Sequence, residues 1–130
     1  MFRPILIAAL TLGVAAPAAA FTARNGMRVE PVDARTFTVG FPSPDGETQY
    51  LCAAGDYVMR ALGLPASTRI YRASPAPRRQ GQGITFTLDE ARKVRLALIT
   101  TFGKNKGDGG ISAGVARDTY CPIVRIFPTF

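Results

Sequence analysis

Histidine is absent from all 130 residues. Its absence excludes the Ser–His and Cys–His pairs that activate nucleophiles, the imidazole general base, and imidazole-based metal centres. Cysteine is nearly absent too. Cys52 and Cys121 are the only two, far apart rather than in a C-x-x-C pair, so a redox-active dithiol has no motif. Carboxylates are few as well, nine in all, and most fall at turns or helix starts where capping and solvation account for them. Two acidic groups suffice for glycoside hydrolysis, which leaves a small carboxylate-dependent hydrolase of cell-wall glycans as the one catalytic class still open.

No motif fills the gap. GKNKGDGG (103–110) has the glycine and lysine content of a phosphate-binding loop but not the G-x-x-x-x-G-K-[ST] order. Asn105 and Asp108 lack the twelve-residue ligand spacing of a calcium loop. That stretch reads as a hairpin loop, and Asp56-Tyr57 reads as part of an exposed polar helix face. No catalytic residue, metal site or cofactor is expected. The chain has no internal repeat.

What is present starts with an export signal. Residues 1–20 have a basic start at Arg3, an apolar run from Ile5 to Ala16, and the small-residue end Ala18-Ala19-Ala20. A membrane-spanning helix needs about 20 apolar residues, and Pro17 with the alanines cuts this run short. Cleavage after Ala20 would leave residues 21–130 as a single exported domain with no transmembrane segment. The alanine-rich signal has a bacterial look, so the expected location is the periplasm or the medium outside the cell. In an oxidising compartment the two cysteines should form one disulfide, Cys52–Cys121. Chain entropy assigns a loop that long roughly 4 kcal/mol, comparable to the net stability of a small domain.

The formal charge is +7, and it is unevenly spread. Between residues 69 and 95 lie seven basic side chains (Arg69, Arg72, Arg78, Arg79, Arg92, Lys93, Arg95) against Asp89 and Glu90. Such a patch on an exported protein fits anionic lipid head groups, other acidic envelope components or an acidic protein. Aromatic residues do not interleave with the arginines except at Tyr71, and nucleic acid is a poor partner outside the cytoplasm. Arg69, Arg72, Arg78 and Arg79 are the expected contact group for an anionic partner.

Along the chain, MRVEPV (27–32) and RTFTVGF (35–41) alternate as strands and should pair as a hairpin, with Pro31 at an edge. TQYLCAAGDYVMRALGLP (48–65) carries apolar residues at helical spacing. Ser43 or Asp45 offers a cap, Gly63 a left-handed stop and Pro65 a terminator. STRIYRA (67–73) is a short strand, and the Pro/Arg/Gly-rich 74–83 an exposed loop. GITFTL (83–88) is a strand with Ile84, Phe86 and Leu88 inward and Thr85 and Thr87 outward. DEARKVRLALITTF (89–102) fits either a helix capped by Asp89 or a turn at 89–93 followed by a strand over 94–102, the second being favoured by its β-branched and aromatic end. ISAGVAR (111–117) alternates as a last strand, with Ile111, Ala113 and Val115 inward, leading to Cys121. The apolar tail 122–130 lies along the sheet or over one end of the core. The sum is an α+β fold: a single helix packed on a mainly antiparallel five- to six-stranded sheet. The leading function is a non-catalytic binding or accessory protein. The alternatives are the glycan hydrolase and a structural or assembly subunit that pairs through a strand edge.

Overall fold

The computed structural model describes residues 20–43, 46–94 and 109–122. Six strands form one antiparallel sheet: β1 (Phe21–Thr22), β2 (Arg28–Pro31), β3 (Thr36–Val39), β4 (Arg69–Arg72), β5 (Ile84–Thr87) and β6 (Ile111–Ser112), in the spatial order β1-β2-β3-β5-β4-β6. Two helices pack on one face, α1 (Gln49–Asp56) and α2 (Ala113–Tyr120). The expected class, α+β, is the class found. Its second helix was not anticipated.

The strand pattern follows the two-residue alternation of side chains. Val29, Phe37, Val39, Ile70, Ile84 and Phe86 line the helix-facing side, where Phe37 stacks against Tyr57 at 4.5 Å and Phe86 at 5.9 Å. β2 and β3 form the expected hairpin, with Val29 opposite Val39. β2 is not an edge strand, yet Pro31 is tolerated. β1 covers only Arg28 and Val29, so Pro31 extends beyond it and needs no amide to donate on that side.

The opposite face holds a correction. Thr87 was expected to face solvent and is fully buried, 0 % exposed. It accepts a hydrogen bond from Thr36 Oγ1 at 3.1 Å and one from the Asp89 amide at 3.1 Å, and it donates to the Arg35 carbonyl at 3.3 Å. The expected turn after β5 is a 3-10 turn, Glu90–Arg92, capped by Asp89, and from it Arg92 donates to Thr36 Oγ1 at 3.3 Å. A hydroxyl with all its partners supplied can be buried at little cost.

α1 continues into a π-helical turn, Tyr57–Ala61, closed by Leu62 N–H to Tyr57 O at 3.1 Å. Gly63 then takes φ +65°, and the Leu64 amide reaches back to Val58 O, ending the helix as the sequence suggests. Its start differs from expectation. Ser43 bonds the Gly46 carbonyl rather than a helix amide, and Thr48 at the cap offers no side-chain bond. The first amides are instead met by the carbonyls of Gly46, Glu47 and Thr48. Asp45 lies outside the described residues.

The 111–117 segment is corrected too. Only Ile111–Ser112 is extended, paired with β4. Ser112 then caps α2 by accepting from the Val115 amide at 3.4 Å, and Val115, expected inside, is 46 % exposed. α1 and α2 approach closely through small residues. A Cβ on Gly55 would lie 2.6 Å from the Ala113 carbonyl oxygen, and α2 also meets the segment before β4 closely, where a Cβ on Gly114 would lie 2.8 Å from Ala66 Cβ. The Cys52–Cys121 disulfide is present, with the two Cα atoms 4.7 Å apart. Because Cys121 ends α2, the bridge ties helix to helix, not strand to helix. The signal expected over 1–20 (all but residue 20), the strand expected over 94–102 beyond residue 94, most of the 103–110 loop and the tail from 123 lie outside the described residues. Among the described residues no helix is long and apolar enough to cross a membrane.

Candidate functional site

The four arginines expected to act together are split between the two ends of the sheet. Arg69 opens β4 and donates to the Gly110 carbonyl at 2.8 Å. It lines an open cleft of about 740 Å³ with Arg35, Leu64, Tyr71, Leu88, Asp89 and Glu90 among its walls. Arg72, Arg78 and Arg79 belong to the other end, where β4 runs into the 74–83 loop. Arg28 is there as well, because its carbonyl accepts from the Gly40 amide just past the end of β3.

Arg78 organises that end. Its Nε and Nη2 meet the Glu47 carboxylate, with Nη2 to Oε1 at 2.7 Å, and its Nη1 donates to the carbonyls of Arg79 at 3.1 Å and Gln82 at 2.9 Å. The same guanidinium lies over the Phe41 ring at 5.3 Å and the Tyr50 ring at 5.5 Å. The bonds it donates to Glu47 hold its pKa above the usual arginine value. Its side chain is 16 % exposed. Arg72 is similarly occupied: Nε donates to Ser74 O at 2.9 Å and Nη2 to Pro75 O at 3.0 Å. Burial pushes its pKa down. These two side chains satisfy the carbonyls of a loop too rich in proline and glycine to satisfy them itself.

What remains outward is Arg79, exposed and with no bond from its side chain to other described residues, and Arg28, exposed on β2. Phe41 is at the same end of the sheet, 51 % exposed, with Pro42, Pro75, Ala76 and Pro77 also at the surface. The charge excess was legible in the sequence. The role of Arg78 was not, since nothing in the order of residues pairs it with Glu47, 31 positions away.

A second polar group missed in the sequence is Asp56, placed there on an exposed helix face and found 0 % exposed. Arg60 meets both its oxygens, at 2.7 and 2.6 Å, and the Arg24 amide donates to it at 2.9 Å. Burial alone would raise the carboxyl, but these donors more than reverse it, and its pKa lies below the usual carboxylate range. Asp33, exposed, is also lowered, by the Arg35 amide and Arg92. A general acid at neutral pH needs the opposite displacement. Six of the seven described carboxylates (Asp33, Glu47, Asp56, Asp89, Glu90 and Asp118) lie in ion pairs with arginine or lysine, which accounts for them as structural partners.

No family model matches the chain, nor does any curated protein or solved structure. At this end of the sheet the exposed groups are Arg28, Arg79 and the Phe41 ring, beside a Glu47 carboxylate paired with Arg78.

Proposed function

We propose that the protein is an exported, non-catalytic binding protein that takes an anionic partner at the end of its sheet where the 74–83 loop meets Phe41. The observation that carries this reading is Arg78. Clamped by Glu47 between two aromatic rings, it fixes the loop and leaves Arg79 and Arg28 free to face a partner. A cation held on a fixed loop gives up little freedom on binding. Within the group named from the sequence, Arg72 and Arg78 support the loop, Arg79 makes contact, and Arg69 stands apart. Export through a cleaved signal into the periplasm or the medium belongs to the same proposal, supported by the disulfide. Pairing through a strand edge is less well supported, because the two edge strands among the described residues are two residues long.

The test is binding of a soluble polyanion such as dextran sulfate, followed by fluorescence anisotropy over a salt series. Affinity should fall steeply with salt as exposed charges are screened. Arg28→Glu with Arg79→Glu should weaken binding at low salt at least about tenfold, since like-charge contacts oppose association. Equal binding by the double variant and the parent protein would overturn the proposal.

A further inference from the structure

We infer that the partner is an anionic lipid surface, docked with the Phe41 ring entering the headgroup region and Arg79 and Arg28 on the lipid phosphates. This rests on the reading above and adds a partner that a soluble acidic protein would not replace. The added observation is Phe41 itself. It is one of only three large apolar side chains exposed among the described residues; Val32, in the β2–β3 turn at the far end of the sheet, and Val115 on α2 are the others. Its ring is half in water, between Gly40 and Pro42, in the same loop cluster as the surface prolines 42, 75 and 77. One flank of the ring is already occupied by the Arg78 guanidinium, so the ring is held outward and is not free to fold back.

An exposed aromatic ring with one guanidinium against it, and further exposed arginines at the same end of the sheet, is an arrangement a membrane interface favours. The ring gains by leaving water at the depth of the acyl-chain boundary, and guanidinium groups stay with the phosphates above it. Glu47 does not oppose this, because its charge is spent on Arg78. A soluble acidic partner would use the cations and give the ring nothing. The cleft at the other end of the sheet, with two acidic walls beside Arg35 and Arg69, has no exposed aromatic side chain at its rim.

The chain contains no tryptophan, so Phe41→Trp places a single reporter at the point of contact. Added to vesicles of phosphatidylcholine with phosphatidylglycerol, its emission should shift to the blue and become protected from a water-soluble quencher, while pure phosphatidylcholine vesicles leave it unchanged. In vesicle co-sedimentation, Phe41→Ser should lose on the order of tenfold in affinity, and Arg79→Ala about fivefold. Phe41→Ser should lose less of its dextran sulfate affinity than of its vesicle affinity, and its thermal unfolding should confirm that it folds. An unshifted tryptophan on anionic vesicles, equal binding to pure phosphatidylcholine, or an unaffected Phe41→Ser would each overturn the inference. Dextran sulfate bound but vesicles ignored leaves the anionic reading standing without its membrane; neither bound ends both.

Discussion

At the scale of single residues the molecule spends its charges internally. Asp56 shows it best, a carboxylate sealed beneath the β1–β2 turn with three donors around it. Its folded pKa lies below the unfolded value of about 3.9. The group therefore stabilises the fold at any pH above that value, and the contribution is lost as pH falls through the folded pKa. Urea unfolding between pH 7 and pH 2 should show stability dropping in that acid range. Asp56→Asn should be roughly 1–3 kcal/mol less stable at pH 7 and should show a smaller acid-dependent drop. A variant matching the parent at both ends would contradict this account. The sequence hid Asp56 for a physical reason. Helical spacing assigns it to the polar side of α1, but that side is covered by the β1–β2 hairpin while α2 covers another, so every residue from 50 to 58 is buried. Periodicity detects one buried face, not a helix enclosed from several sides.

At the scale of elements, the strands were legible and the second helix was not. Alternation in RTFTVGF and GITFTL marked β3 and β5, because large apolar residues take one face and threonines the other. In ISAGVAR most of the residues between Ile111 and Arg117 are small (Ser112, Ala113, Gly114, Ala116), and small residues satisfy a strand pattern and a helix pattern equally. Ser112 as a cap was the available signal. The same smallness explains how α1 and α2 fit together. On helix propensity, Gly55→Ala should stabilise α1 by about 1 kcal/mol. The added carbon would sit 2.6 Å from a backbone oxygen of α2 and 2.8 Å from the Arg117 amide, neither of which can swing aside. Overpacking should win, and the variant should lose roughly 1–3 kcal/mol in chemical denaturation. A rise in stability would show that the helices can separate at little cost.

At the scale of the whole molecule, the pairing of Cys52 with Cys121 is the feature the sequence made plainest, since a chain with two cysteines has one intramolecular pairing open to it. What it could not show is which elements the bridge joins. Replacing both cysteines with alanine should cost about 4 kcal/mol, read as a lower denaturation midpoint. Treating the parent with reductant under denaturing conditions should reproduce most of that loss. Equal midpoints with and without the bridge would place the stabilisation elsewhere. The basic end of the sheet was half legible: composition located the excess charge, but the fate of each guanidinium depended on which loop carbonyls folding brought near it.

The bridge also divides the molecule in a way the sheet order conceals. Cys52 to Cys121 closes a covalent ring of chain holding β4, β5 and β6, whereas β1, β2 and β3 precede the ring and are attached to it through the β3–β5 ladder and the helix packing. The border between free and tethered chain thus runs down the middle of the sheet. When native-state hydrogen exchange is followed in rising denaturant, amides of β2 and the β2-facing side of β3 should open together at a lower free energy than those shared by β4 and β5. The molecule would part along its centre line, its leading half peeling away while the ringed half holds.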